Sequence, residues 1–251
     1  MPRVLTVTSQ VLGVGNTSTV INLSAWLALL GKKVLIIDAD PLAGATLSLG
    51  LGNKEFTDLK QVLEDNLPLE AGITNTSIKD LDIIPMKTLD EDGKNQYFSI
   101  FEEDIYLFRD CVDFLEDEYD FIIIDLPYID KTLTSAILSA SDSVIVLIKS
   151  EPLFLDNVSE LIETVVNIKD DMNKWLELEG FLIAMYDNEE TFSRQIVTQA
   201  KEKFKDLMFK TIIPKNKTIY DAGQINTPIA LYDMKSFGSE TYLRLAKEIL
   251  R

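Results

Sequence analysis

Three aspartates and one glycine-bearing loop are the residues of this 251-residue chain whose types and spacing could do chemistry. Asp38 and Asp40 stand in Asp38-Ala39-Asp40-Pro41, at the end of an apolar run, and Asp125 ends a second run, Ile122-Ile123-Ile124-Asp125. Carboxylates placed there are suited to Mg²⁺ and to orienting a water molecule. Taken alone, each would more often cap the turn that follows. The loop is Ser9-Gln10-Val11-Leu12-Gly13-Val14-Gly15-Asn16-Thr17-Ser18-Thr19. It follows the apolar run Val4-Leu5-Thr6-Val7-Thr8 and opens an amphipathic stretch from Val20 to Leu30. A strand, a glycine loop and a helix in that order present backbone N–H groups and a helix N-terminus to phosphate. Such loops end Gly-Lys-Ser/Thr, and the lysine reaches the outer phosphates. Here the lysine position holds Asn16. Thr17 follows and offers a hydroxyl to a metal. The frame of a phosphate site is present without its cation.

These residues need strands to carry them. Strands are expected at Val4–Thr8, Lys33–Asp38, Leu81–Pro85, Phe121–Asp125, Ser143–Ile148, Phe181–Met185 and Phe209–Ile213. Most are continuous apolar runs, as in strands covered on both faces. Helical patterns alternate with them at 17–30, 58–65, 103–117, 131–140, 154–168, 192–206 and 236–250. Leu89–Asn95 reads as an exposed loop. The alternation implies an α/β fold with a doubly wound, mostly parallel sheet flanked by helices, in one domain spanning 1–251. Ligands of such sheets sit at the carboxyl ends of the strands, where Asp38, Asp125 and the loop all fall. Trp26 with Leu29 and Leu30 reads as core, and Trp175 as packing beneath the strand that follows it.

Composition removes several function classes. The chain has no histidine, which excludes a His-ligated metal and a His general base. Its single cysteine, Cys111, cannot form an internal disulfide and fits a reducing cytoplasm. With no histidine to activate it, Cys111 reads as a small buried hydrophobe. No apolar run approaches the roughly 18–20 residues of a membrane helix, so no membrane partner is expected. The net charge of −17 is uneven. Residues 191–251 hold eleven Lys/Arg against six Asp/Glu, a net of +5, which leaves −22 on the remainder. An acidic body disfavours nonspecific DNA binding, and only the basic C-terminal quarter is compatible with it.

In these motifs the chain resembles the ParA/MinD group of deviant Walker-A phosphate-loop ATPases, and the ParA/Soj branch most closely. The family loop reads Lys-Gly-Gly-Val-Gly-Lys-Thr-Thr, followed by Ile-Asn-Leu-Ala. Here Val11-Leu12-Gly13-Val14-Gly15-Asn16-Thr17-Ser18 precedes Ile21-Asn22-Leu23-Ser24. Family-like segments continue in Gly31–Pro41, Gly44-Ala45-Thr46, Tyr119–Asp125, Met185-Tyr186-Asp187, Ile213–Asn216 and Lys235–Gly238. The resemblance covers nearly the whole chain. It implies an ATP/ADP-Mg²⁺-dependent homodimer that binds DNA nonspecifically, positions a plasmid, chromosome or other cargo, and works with a ParB-like or other adaptor protein. By position, Gly13, Val14, Gly15, Asn16, Thr17 and Ser18 match the phosphate loop. Thr17, Asp38 and Asp125 match the metal side, and Asp40 the catalytic, water-orienting aspartate. Pro214 and Asn216 match the loop near the adenine.

The departures from the family are specific. Its dimer-crossing lysine aligns with Val11, its phosphate-loop lysine with Asn16, and its second loop glycine with Leu12. Loss of one comparable transition-state donor can cost ~10²–10³ in rate, so slow hydrolysis is expected. Where the family often has Ser-Arg-Thr on its DNA side, this chain has Asn188-Glu189-Glu190, which leaves Lys215 and Lys217 as weak DNA contacts. Two functions remain open: a nucleotide-binding partition or positioning protein, or a non-enzymatic pseudo-ATPase kept as a protein-interaction scaffold.

Overall fold

The computed structural model describes residues 1–115, 118–151 and 154–251. A seven-stranded sheet runs in the order β3-β4-β2-β5-β1-β6-β7. Its strands are β1 Arg3–Thr8, β2 Val34–Asp38, β3 Thr74–Asn75, β4 Leu81–Ile84, β5 Phe121–Asp125, β6 Ser143–Lys149 and β7 Glu177–Ala184. Only the two-residue edge strand β3 is antiparallel. Because side chains alternate across a strand, each inner strand feeds two cores. Ile122 and Ile124 of β5 pack in one core and Phe121 and Ile123 in the other; Val144, Val146 and Ile148 of β6 oppose Ile145 and Leu147.

The first face is covered by α3 Leu59–Glu64, α4 Glu91–Glu103, α5 Leu107–Asp113, α6 Lys131–Ser139, α7 Phe154–Asp171 and α8 Thr191–Phe204. The second face is covered by α1 Asn16–Leu29, α2 Gly44–Ser48, α9 Lys217–Gln224, α10 Ile229–Tyr232 and α11 Phe237–Ile249. The doubly wound, mostly parallel sheet expected from the alternation is therefore observed. Among the described residues no helix is long and apolar enough to cross a membrane.

Four local expectations differ from the structure. Phe209–Ile213 forms no ladder beside β7. Phe209 N donates to Phe181 O at 3.0 Å and Ile213 N to Ile183 O at 2.9 Å, so four residues on one side span two on the other. Equal spacing, which a strand pair requires, is lost. Leu89–Asn95 is the start of α4: the Asp90 side chain accepts from Gly93 N at 2.8 Å and caps it, and only Tyr97 and Phe101 are fully buried on its inner face. The helix expected over 103–117 is shorter, α5 ending at Asp113, and residues 116 and 117 lie outside the described ones. Trp175 is 85% exposed because the turn before β7 points it outward, and Leu29 and Leu30 at the end of α1 are exposed, whereas Trp26 is buried as expected. Cys111 is half-buried against the first core, and burial raises its thiol pKa.

Candidate functional site: a phosphate cradle without a lysine

The loop after β1 is shaped by two glycines. Gly13 and Gly15 have φ of 77° and 103°, a region L-residues rarely adopt. Gly15 is the residue preceding α1, which has no side-chain cap and no acid in its first turn. Its first N–H groups, orphaned as in any helix start, are left to a ligand. Asn16, at the lysine position, donates from Nδ2 to Leu126 O at 3.4 Å, while its Oδ1 is buried without a partner. Val11 is partly buried against the second core, and Leu12 is 60% exposed. Leu12 therefore leaves the cradle open.

Neighbouring strand ends bring the acids together. Asp38 and Asp125 are register partners across β2 and β5. Thr17 Oγ1 donates to Asp125 Oδ2 at 2.7 Å. Asp38 Oδ2 accepts from both Thr46 N at 2.8 Å and Thr46 Oγ1 at 2.7 Å, and its Oδ1 accepts from Asp40 N at 3.2 Å. Asp40 Oδ1 accepts from Leu42 N at 2.8 Å, which fixes the turn into α2. Burial pushes Asp38 up to about 7, against the lowering effect of the Thr46 hydrogen bonds. Burial, then the Asp38 charge, holds Asp125 well above the usual carboxylate range, and burial also raises Asp40, with Lys94 opposing. Such a site gains by receiving a cation. Among the described residues no three His, Cys, Asp or Glu side chains converge as a direct ligand set. The Thr17 hydroxyl, paired with Asp125 and near Asp38, nevertheless suits Mg²⁺, which keeps several of its waters and needs few protein ligands.

A cavity of about 450 Å³ adjoins the loop and is lined by Val14, Gly15, Ser18, Met185, Pro214, Asn216 and Tyr220, among others. The structure thus joins Pro214 and Asn216 to the phosphate loop across more than 190 residues of sequence. Asn216 Oδ1 accepts from Thr218 N and Ile219 N at 2.8 and 3.2 Å and starts α9, one wall of the cavity. Lys215 and Lys217 lie outside the acid cluster, near Asp187 at 3.9 Å and Asp221 at 2.7 Å. Sequence reasoning gave no role to Thr46, Gly44 or Tyr97. A Cβ on Gly44 would meet Thr17 Oγ1 at 2.8 Å and Asp40 Oδ2 at 3.3 Å. Tyr97 is fully buried, and its unpartnered hydroxyl feels the charges of Asp38 and Asp40. The segment Gly44-Ala45-Thr46 was the available signal for the first two; nothing local marked Tyr97.

A family model described as an AAA domain matches residues 2–178. The sporulation initiation inhibitor protein Soj of Bacillus subtilis is 35% identical over 99% of this chain and 98% of its own length. The chain belongs to the ParA/Soj family of phosphate-loop ATPases. The chromosome partitioning protein ParA of Caulobacter vibrioides is 32% identical over 99% of this chain and 94% of its own. The crystal structure of cobyrinic acid a,c-diamide synthase from Mycobacterium smegmatis, with bound ADP and magnesium, superposes with a TM-score of 0.84 at 27% identity. It covers 100% of this chain and 95% of that one. The family fold is retained here, and the loop after β1 carries no lysine.

Proposed function

We propose that this chain is a ParA-type partition or positioning protein that binds Mg²⁺-ATP or Mg²⁺-ADP and hydrolyses ATP slowly. One observation carries the reading: an open glycine cradle, the Thr17–Asp125 pair and the 450 Å³ cavity are contiguous, while the loop itself supplies no cation. Bound Mg²⁺ would neutralise charge on the outer phosphates. The chain's own part is to hold phosphate on the N–H groups of Gly13 to Ser18, to place the Thr17 hydroxyl and Asp125 on the metal side, and to keep Asp38 fixed by Thr46. Asp40 is held by Leu42 N at the mouth, where it can orient a water. Pro214 and Asn216 border the base end.

Two further parts of the reading follow from the surface. DNA binding is weak and salt-sensitive, because Lys215 and Lys217 face Asp187 and Asp221, and Glu189 and Glu190 follow Asp187 in sequence. Homodimerisation and an adaptor protein follow the family pattern. The second reading, a pseudo-ATPase scaffold, is favoured by Asn16 and by a raised Asp38 pKa that permits a neutral carboxyl without any metal. Calorimetry with Mg²⁺-ATP and an ATP-turnover assay on the same preparation separate the readings. Binding with turnover far below a lysine-bearing relative is expected. Turnover equal to that relative would refute slow hydrolysis, and no binding would leave the scaffold. DNA affinity that persists on the order of 200 mM salt would contradict the weak DNA contact.

A further inference from the structure

The loop's missing cation has a candidate on a neighbouring helix. Lys131 is the first residue of α6, six positions after the metal-side Asp125 that ends β5. Its Nζ lies 3.6 Å from Glu160 Oε1 on α7, and Glu160 Oε2 accepts from Nε2 of the loop residue Gln10 at 3.0 Å. One carboxylate therefore ties the lysine to the phosphate loop. The pair is loose: Lys131 is 79% exposed and Glu160 56%. Exposed pairs of this kind contribute little stability, so the ammonium is held near without being consumed.

Other cations near the mouth are more tightly engaged. Lys94 pairs with Glu91 at 2.6 Å, and Lys149 with Glu151 at 2.8 Å. The loop's unpartnered buried side-chain atoms include two acceptors, Gln10 Oε1 and Asn16 Oδ1. A nucleoside triphosphate brought to this mouth meets Asp38, Asp40 and Asp125 with no lysine between them. A mobile ammonium at the rim is the group that balances the outer phosphates.

We propose that Lys131 is the phosphate-binding cation of this site, resting on Glu160 beside Gln10 and moving to the outer phosphates when a nucleoside triphosphate binds. The proposal rests on the nucleotide reading above. A flexible four-carbon stem on a compact charge suits such a move. Glu160 acts as the competitor that holds the lysine in the empty state and sets how readily it leaves.

Calorimetry with Mg²⁺-ATP and Mg²⁺-ADP on the full chain, for the wild type, Lys131→Ala, Glu160→Gln and the double variant, tests it. Loss of a charge-assisted contact predicts roughly tenfold or more weaker ATP binding in Lys131→Ala, with a smaller loss for ADP. Glu160→Gln keeps an acceptor for Gln10 but frees the lysine, so ATP should bind severalfold more tightly. The double variant should then behave as Lys131→Ala does. Both side chains are exposed, and unchanged melting temperatures would show that the fold is intact. Wild-type ATP affinity in Lys131→Ala, or equal losses for ATP and ADP, would overturn the proposal alone. A wild type that binds neither nucleotide would overturn the nucleotide reading, and the proposal with it.

Discussion

Gly44 lacks a side chain where Thr17 and Asp40 fill the space. A Cβ there would lie 2.8 Å from Thr17 Oγ1, inside normal contact, so Gly44→Ala must displace the hydroxyl from Asp125. Overpacking of this kind costs about 1–3 kcal/mol. Mg²⁺-nucleotide affinity in the variant should fall roughly tenfold; titration calorimetry giving the wild-type value would remove Thr17 from the site. The carboxyl cluster has a pH signature. Asp38 is raised from 3.8 to about 7 in the folded protein, and Asp125 shifts the same way. Between those values the folded state binds more protons than the unfolded state. The stability from Asp38 is full below pH 3.8 and is lost as pH rises through about 7. The metal-free melting temperature should therefore decline across that window. Asp38→Asn should flatten the decline, and Mg²⁺ should raise the melting temperature most on the alkaline side. A wild-type profile as flat as that of the variant would contradict the assignment.

At the scale of elements, the base end of the cavity depends on a short helix. α9 spans Lys217–Gln224, begins at the Asn216 cap and contributes Ile219, Tyr220, Gly223 and Gln224 to the cavity wall. An eight-residue helix has too few internal bonds to persist unaided. Asn216→Ala removes both cap bonds and should cost about 1 kcal/mol in denaturant unfolding. It should also weaken nucleotide binding without altering the acid cluster; full stability would show that the cap is dispensable. The same scale explains what sequence patterns missed. α9 and α10, of eight and four residues, are too short to show a helical period, and α4 opens with acids that suit a helix N-terminus yet resemble a solvent loop. Phe209–Ile213 has a strand's composition, but its backbone meets β7 at unequal spacing.

For the whole molecule, the proposed homodimer rests on the rim around the cradle. Leu12, Leu42 and Ile129 are exposed on loops following β1, β2 and β5. An apolar rim closes on a second copy without burying an unpaired charge, unlike a rim with a crossing lysine. Dimerisation should therefore depend weakly on nucleotide. Sedimentation should find a dimer without ligand and a shift toward monomer in Leu12→Asp. A monomer under every condition would rule out this face, and a dimer untouched by Leu12→Asp would place the interface elsewhere.

The sequence by itself determined the inner strands, the loop between β1 and α1, and the placing of Asp38, Asp40 and Asp125 at strand ends. Those are local facts: short continuous apolar runs bounded by turn residues suit covered strands, and a polar residue ending such a run falls at the strand's carboxyl end. That the loop Ser9–Thr19 carries no lysine was equally legible. Tertiary structure alone decided the rest. It made Asp38 and Asp125 register partners, although 87 residues separate them in sequence. It set Thr46 against Asp38, brought Asn216 to the loop, and placed Lys131 and Glu160 beside Gln10. The order in which strands pair across a sheet depends on how the two helical layers pack, and no window of residues contains that.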